Sequence, residues 1–439
     1  MYNLKKIFFI LVWVICYSGI AIASEEQTET KISTNPAKTM VEEWGLPNYD
    51  TALDSVDYSV SYKKIKWPWQ TDPQRQEKRI EALRKLAQAK APYYVDEIVQ
   101  RNPRLPLSGF SWDWGYEDDG QGPLYTDGDN ATDELLFEVL PYIPEVGSCG
   151  LEFTKVTDEG LKALFYLPMF QGLSLTTTEP ETHPLPITDK GIEIISRHPS
   201  LENIGLRNVR ITDQSFKSLA QNAKKLRQIY YEGDSITSRG LEYLKEANSL
   251  VTLQIENTNT ETMPSTAELL CILAEIPNLQ SLDLRGYDFS MPPDEKQLAT
   301  LRKFNGKLDR LYLWSKIHPK TLKAICDMEN LHYLSVFSRG TGREFSKENM
   351  ISYEKAMYRF RKMNRVPDYY EELEKPYFEE FYVRTWTSSD GKTTHKAAFV
   401  DLVNDKVFLK TSYDNEPFSI PILHLSKEDR AYARAIVGQ

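Results

Sequence analysis

Three groups of residues carry side chains suited to chemistry, and the first is an acidic cluster. Asp127, Asp129, Asp133 and Glu138 occupy positions 1, 3, 7 and 12 of the pattern that a calcium-binding loop uses. The pattern fails at position 6, where Thr132 replaces the glycine that the sharp turn needs. An acidic helix start explains the same residues, because carboxylates are favourable in the first helical turn. We therefore expect no metal site and no cofactor.

Histidines are the second group, and their spacing matches neither a metal site nor a catalytic site. The chain has six, which lie singly at His183, His198, His318, His332, His395 and His424. The sequence also has no H-E-x-x-H zinc motif, no G-x-S-x-G turn and no glycine loop of the kind that binds phosphate. We therefore predict no catalytic residues and a non-enzymatic protein. A hydrolase with a site built from distant residues is the lower alternative, because such a site leaves no local motif.

Cysteines are the third group. Cys16 lies in the N-terminal segment, so its removal leaves Cys149, Cys271 and Cys326, an odd number. Each of these three falls on an inward position of the apolar pattern described below. We expect them to be small apolar core residues rather than disulfide partners or metal ligands.

Residues 1–23 have the organisation of an export signal. Lys5 and Lys6 precede an apolar run and the small-residue sequence Ala21-Ile22-Ala23. This order is typical of a cleavable signal peptide, with the cut after Ala23. The alternative is an uncleaved membrane anchor, because the apolar run nearly reaches the length of a membrane span. No later segment resembles a span, so we expect a mature protein that is periplasmic, in the cell envelope or secreted.

The net charge limits the class of partner. The formal charge is −10 at pH 7. Nucleic acids and anionic membranes attract basic proteins, so an acidic exported chain is a poor candidate for either. A protein or peptide partner is expected, and the sequence does not determine the oligomeric state.

A short sequence motif repeats through residues 146–339 and organises the middle of the chain. Leu201, Ile204 and Leu206 form an L-x-x-L-x-L pattern that recurs at 226–231 and 250–255, and its leading leucines return every 23 to 29 residues. A strand and helix at this period can bury their apolar sides only against neighbouring copies, which predicts a stacked solenoid. Eight strands are predicted, centred near Cys149, Ser174, Gly205, Tyr230, Gln254, Asp283, Tyr312 and Ser335.

Each repeat also has a helix start signal. Val156-Thr157-Asp158, Ile187-Thr188-Asp189 and Ile211-Thr212-Asp213 mark the turns, and we predict that the aspartate caps the helix. Glycine follows in the first turn at Gly160, Gly191 and Gly240. These phrases resemble leucine-rich repeats of the bacterial I-T-D-x-G-L kind, similar to the ribonuclease-inhibitor and F-box types. The resemblance implies an α/β fold, a solenoid of parallel strands plus helices.

The flanking segments lack this period. Residues 24–71 read as a disordered or irregular leader, because they are first polar and then aperiodic. Residues 72–145 read as a helical N-terminal cap with a surface loop at 109–132, and the first helix starts at Asp72-Pro73. Residues 340–375 have helical spacing and read as a connector.

Residues 376–439 switch to alternating hydrophobicity, which is typical of short strands. Strands are predicted at 382–386, 394–402 and 418–422, with turns at Asp390-Gly391 and Asn404-Asp405. A further strand is predicted at Val407-Phe408-Leu409, and a short helix ends near Ile436. Such strands in so short a segment predict a small β-barrel.

A family resemblance covers this C-terminal module. It is carried by Arg384-x-Trp386-Thr387, Asp390-Gly391-Lys392, Ala397-Ala398-Phe399-Val400, Lys406-Val407-x-Leu409, Ile420-Pro421 and Leu425-Ser426-x-x-Asp429-x-x-Tyr432. The order of these features resembles the SLA-one homology domain one, which implies an SH3-like barrel that recognises an Asn-Pro-Phe-x-Asp peptide. Ala398 departs from the family, which usually has an acidic residue there, and His395 replaces a small or apolar one. No peptide-contacting residue is transferred to this chain.

The repeats also predict a binding face. In L-x-x-L-x-L the leucines point inward, so the alternate side chains line the concave sheet surface. Near the end of the solenoid these side chains are aromatic and basic, a composition typical of binding hot spots. The candidate partner-binding residues are Arg285, Arg310, Tyr312, Trp314, Tyr333, Phe337 and Tyr230.

Two alternatives to external binding remain open at this stage. In the first, the connector or the barrel covers the aromatic patch. Trp314→Ala would then destabilise the fold without abolishing the binding of a partner. The whole protein is a structural component of the cell envelope if the signal stays uncleaved. The sequence favours an exported, non-enzymatic interaction or adaptor protein that uses the concave face, the barrel or both.

Overall fold

A computed structural model describes most of the solenoid and of the C-terminal module. The described residues are 67–89, 109–112, 131–152, 154–177, 184–257, 266–314, 317–336, 354–355, 358, 383–412 and 415–438. The export signal, most of the leader, residues 90–108 of the N-terminal cap, Phe337 and most of the connector lie outside these residues.

Nine parallel strands form one sheet in sequence order. They are β1 (Gly109–Trp112), β2 (Ser148–Glu152), β3 (Gly172–Thr176), β4 (Asn203–Arg207), β5 (Gln228–Gly233), β6 (Thr252–Asn257), β7 (Ser281–Arg285), β8 (Arg310–Trp314) and β9 (Tyr333–Val336). Strands β2 to β9 confirm the eight predicted positions. Strand β1 was missed, because the sequence analysis placed 109–112 in a surface loop. It pairs in parallel with β2, from Gly109 opposite Ser148 to Trp112 opposite Leu151, so its neighbour makes it a strand.

Helices connect the strands. The α-helices are α1 (Pro73–Gln88), α2 (Asp133–Val139), α3 (Asp189–Ser196), α4 (Asp213–Asn222), α5 (Ser238–Tyr243), α6 (Thr266–Leu273), α7 (Glu295–Lys303) and α8 (Pro319–Cys326). Single 3₁₀ turns lie at Pro68–Gln70, Leu140–Tyr142 and Leu244–Glu246, and a longer 3₁₀ helix lies at Gly160–Tyr166. Within the described residues, every strand from β2 to β8 is followed by one of these helices before the next strand.

The repeated leucines and isoleucines form the core. Ile204 on β4, Leu253 on β6 and Leu282 on β7 occupy equivalent register positions and are all buried. Their side chains belong to one continuous apolar cluster that runs from the N-terminal helix to the last repeat. Because no unit has an apolar core of its own, stability comes from contacts between adjacent units.

A ladder of aspartates and threonines joins the helix starts of neighbouring units. The N–H and hydroxyl of one threonine donate to the two carboxylate oxygens of the aspartate in the preceding unit, at 2.6–2.8 Å. The four pairs are Asp133 with Thr157, Asp158 with Thr188, Asp189 with Thr212, and Asp213 with Thr237. The prediction that aspartate caps its own helix was wrong, because threonine is the cap in α3, α4 and α5. The aspartate bonds instead to the next unit.

The ladder explains the glycine in this motif. A Cβ on Gly191 would lie 2.4 Å from Oδ1 of Asp158, and one on Gly240 would lie 2.4 Å from Oδ1 of Asp213. Glycine therefore makes room for the carboxylate of the preceding unit. In the one copy with serine at this position, the hydroxyl of Ser215 donates to Oδ1 of Asp189 at 2.5 Å.

Helix α1 packs against α2 and the 3₁₀ turn at Leu140–Tyr142. Asp72 caps this helix by accepting from the backbone of Gln74 and Arg75, and proline follows it, as predicted. Arg79 and Glu145 are both fully buried and form an ion pair of 2.6 Å. The indole of Trp69 donates to the other carboxylate oxygen of Glu145 at 3.1 Å, which completes a buried polar cluster.

The C-terminal module contains a four-stranded antiparallel sheet. Its strands are β10 (Val383–Thr387), β11 (Thr394–Val403), β12 (Lys406–Lys410) and β13 (Phe418–Pro421), in that order, and helix α9 (Lys427–Val437) follows. Asn404 and Asp405 both have positive φ, at 50° and 58°, as a two-residue type I′ hairpin turn requires. The connection at Asp390-Gly391 is a longer loop, because Thr387 pairs with Thr394.

The module has its own small core and also contacts neighbouring parts of the chain. Trp386 is buried and stacks on Phe399, with ring centroids 6.2 Å apart. Tyr358, one of three described connector residues, donates to Asp401 at 2.8 Å. Ala398 is buried and belongs to the apolar cluster of the solenoid rather than to the module's own. Its small side chain therefore suits this packing.

Candidate functional site

The sheet has one face that points away from the helices. Alternate side chains of β2 to β9 lie on it, and the sequence analysis predicted it as the concave face. We call it the open face. Because the strands are parallel and in register, its side chains form three rows that cross the strands.

Arg285 is the centre of the C-terminal half of the open face. Its guanidinium lies 3.0 Å from Asp283 and 3.4 Å from Glu256, and it stacks over the ring of Trp314 at 4.5 Å. Burial raises the pKa of Asp283, and the charge of Arg285 acts in the opposite direction. Burial disfavours the guanidinium charge, but Asp283 outweighs it, so the pKa of Arg285 is raised. The arginine is therefore a fixed cation that orients an indole.

Two tyrosines and a second arginine extend this group. The rings of Tyr312 and Tyr333 lie 5.0 Å apart at an angle of 41°. Arg310 starts β8 and is exposed, and its guanidinium lies 3.3 Å from Asp309. The side chains thus form an aromatic and cationic patch over the last three described strands.

A separate polar cluster surrounds Tyr230. Its hydroxyl donates to Glu232 at 2.6 Å, and Arg207 lies 2.9 Å from the same carboxylate. Burial, together with the Glu232 charge, raises the pKa of Tyr230 well above its usual value. Tyr230 is therefore a neutral hydrogen-bond donor at neutral pH.

The structure brings most of the predicted candidates together, with different exposure from that expected. Three adjacent strands, β7 to β9, carry Arg285, Tyr312, Trp314 and Tyr333, and Arg310 is the first residue of β8. Arg285 is only 8% exposed and Tyr333 only 6%, so these two side chains are nearly buried within the predicted surface. Tyr230 lies two strands from Asp283 and belongs to its own cluster.

The alternation of the repeats places two carboxylates on this face that sequence reasoning did not include among the candidate residues. Glu232 and Glu256 are directly opposite each other on β5 and β6, and both are nearly buried. Each is paired with an arginine on another strand. The register, once the repeats are aligned, is the signal that could have revealed them.

Other side chains that could take part in chemistry lie in the core or at its edge. Cys149 and Cys326 are buried, Cys271 lies 3.2 Å from the hydroxyl of Thr300, and all three are free. His198 is buried between Phe165 and Phe170, with ring distances of 4.9 and 5.4 Å, and burial lowers its pKa to about 3. Within the described ranges, no three His, Cys, Asp or Glu side chains group as a metal site.

Asp133 and Glu138 both have partners in the described structure. Asp133 accepts the hydrogen bonds of Thr157, and Glu138 pairs with Lys85 at 2.6 Å. Asp127 and Asp129 lie outside the described residues. A search of the described helices finds none long and apolar enough to cross a membrane.

Comparison with known proteins adds little. No family model matches the chain, and no curated protein matches it. Among solved structures, an internalin from Listeria monocytogenes str. 4b F2365 is similar over 59% of this chain and 89% of its own length. The identity is 12% and the TM-score 0.24, so this likeness carries no argument about function. The parallel strand and helix units, consistent with leucine-rich repeats, rest on this chain's own geometry.

Proposed function

We propose that the protein is an exported, non-enzymatic interaction protein that binds a protein or peptide through the open face and the C-terminal module. One observation carries this proposal. The aromatic and basic side chains Arg285, Arg310, Tyr312 and Trp314, which lie on or next to β7 and β8, meet in one patch. Export rests on the N-terminal signal and places the partner in the periplasm, in the cell envelope or outside the cell.

The patch has the chemistry of a protein-binding surface. Tryptophan, tyrosine and arginine are enriched among the few interface residues that supply most of the binding energy. Trp314 and Tyr312 are half-buried, so each ring is oriented by its neighbours and still has surface to offer. Prior orientation lowers the entropy lost on binding.

The C-terminal module is proposed to be a closed SH3-like barrel with an adaptor role. Support comes from the bridge between Ser388 and Leu425, which joins the end of β10 to the segment after β13. The backbone N–H of Ser426 donates to Thr387 O, and that of Ser389 donates to His424 O, both at 2.8 Å. These contacts join the end of β10 to the segment that follows β13, an arrangement that a closed barrel requires.

Site-specific crosslinking tests the proposed binding surface. A photo-reactive amino acid replaces Arg310 on the open face in one variant and exposed Arg302 on α7 in its matched control. Both full-length variants are exported by the native cells and irradiated there. We expect discrete protein adducts from position 310 and none in common with position 302. Identical adducts from both positions, or none from position 310, would contradict the proposal.

A further inference from the structure

Six half-buried side chains form a band across the middle of the open face, which we call the polar lane. Gln228, Thr252 and Ser281 are in register on β5, β6 and β7, and so are Tyr230, Gln254 and Asp283. The row beyond them, which contains Glu232, Glu256 and Arg285, is nearly buried. The polar lane is therefore the part of these three strands that a partner reaches first.

Two glutamines in the polar lane are unsatisfied. Among the residues that the structure describes, the buried atoms Oε1 of Gln228 and Nε2 of Gln254 have no hydrogen-bond partner. Buried polar groups without partners are rare and each costs stability, so a pair on one surface requires an explanation. The terminal torsion of glutamine is broad, so either amide can turn toward the polar lane without a backbone shift. A peptide main chain has both N–H donors and C=O acceptors, so it can pair with one acceptor and one donor on adjacent strands.

The spacing suits an extended segment that crosses the strands. Strands lie about 4.8 Å apart and an extended chain advances about 3.4 Å per residue. The three intervals from β5 to β8 therefore correspond to about four extended residues, which would run from Gln228 to Tyr312.

Charge complementarity selects the side chain of such a segment. The open face has four carboxylates, Glu152, Glu232, Glu256 and Asp283, against three arginines, Arg207, Arg285 and Arg310, and the whole chain has a charge of −10. Arg207 pairs with Glu232, whereas Asp283 and Glu256 share the single guanidinium of Arg285. Asp283 is half-buried, so a cation from the partner placed beside it would add a second positive charge to this group.

We propose that the polar lane binds an extended peptide segment with a lysine or arginine, whose main chain pairs with Gln228 and Gln254 and whose cation lies beside Asp283. This inference rests on the proposed function of the open face and specifies its partner. A folded surface with no extended segment would leave both amides unpaired.

Peptide pools test the partner class. The full-length protein is offered blocked hexapeptides with Lys, Arg, Ser or Glu fixed at the centre and the other positions random. We expect the Lys and Arg pools to bind at least about tenfold more tightly than the Glu pool, because Asp283 and Glu256 attract a cation and repel a carboxylate. Backbone N-methylation of the best peptide should weaken it by a similar factor. Equal binding of the Glu pool, or no binding by any pool, would overturn the inference.

Glutamine variants test the two contacts. Gln228→Met and Gln254→Met should each weaken the best peptide about tenfold, whereas Gln214→Met, at an exposed site on α4, should not. Without peptide, Gln254→Met should raise the unfolding temperature by about 2 °C, because methionine removes an unpaired buried group. A lower unfolding temperature would show that the amide is already satisfied and would overturn the inference.

The two proposals can fail separately. Adducts at position 310 without peptide binding would leave the open face as an interaction surface and reject the extended segment. Peptide binding that survives both glutamine substitutions and Trp314→Ala would occur elsewhere and would reject both.

Discussion

Removal of the Asp189 carboxylate should destabilise the solenoid well away from the binding face. Asp189 accepts from the N–H and hydroxyl of Thr212 at 2.8 and 2.7 Å and from the hydroxyl of Ser215 at 2.5 Å. Hydrogen bonds to a charged group contribute about 1.5–3 kcal/mol each, but exposed Thr212 recovers part of this from water. Asp189→Ala should therefore lower the free energy of unfolding by about 3 kcal/mol.

Urea unfolding followed by tryptophan fluorescence measures this loss. Asp327→Ala is the matched control, because it removes the same charge from an exposed position after α8. Thr212→Ala combined with Asp189→Ala should cost about 1–2 kcal/mol less than the sum of the two single changes, since the residues share their bonds. A loss equal to that of the control, or strict additivity, would refute the ladder as a link between units.

Three further predictions address the N-terminal cap, the core and the C-terminal module. Glu145→Ala leaves Arg79 charged and buried and should cost about 3–5 kcal/mol by urea titration; a loss below 1 kcal/mol would argue against the buried pair. The pKa of His198 is about 3 in the folded chain and about 6.5 in the unfolded chain, so only the unfolded chain takes up the proton between pH 6 and 4. The free energy of unfolding should therefore fall by about 1.4 kcal/mol for each pH unit of acidification in this range. The pH dependence should be flatter in His198→Phe and unchanged in exposed His424→Gln. Asp429→Ala removes the acceptor of Arg384 and of the Thr387 N–H and should cost about 3 kcal/mol, with loss of the near-ultraviolet signal of Trp386.

The solenoid could be predicted because its repeats carry a redundant signal. Leu201, Leu226 and Leu250 each mark the same point in a unit, so the position of one strand fixes the positions of its neighbours. Strand β1 carries the same signal, because Leu107 precedes Gly109 by two residues and Phe110 and Trp112 follow at the pattern positions. It was missed because the interval from Leu107 to Val146 is longer than the other intervals between repeats.

The role of the aspartates was wrong for a similar reason. A threonine followed by aspartate is compatible with either residue as the cap, because both side chains accept from helix N–H groups. The choice depends on Thr188 of one unit meeting Asp158 of the previous one, a contact across 30 residues. The stacking of the units therefore determines which residue caps the helix, and local propensity does not.

The candidate site was predictable in composition and only partly in environment. Alternation placed Tyr312, Trp314 and Tyr333 on one face, and the structure has them on β8 and β9. Burial could not be predicted, because Arg285 owes its 8% exposure to Asp283, Glu256 and Trp314 from three strands. The binding role of these residues stays a prediction.

The affinity of a partner captured at position 310 tests the central claim most directly. It is measured by calorimetry for the full-length wild type, for Trp314→Ala and for Arg302→Ala on the helix side, with circular dichroism to confirm that each is folded. If the open face binds the partner, Trp314→Ala should weaken binding about 30-fold or more, as expected for a hot spot of about 2 kcal/mol, and Arg302→Ala should not. Equal affinity of folded Trp314→Ala and wild type would contradict the account.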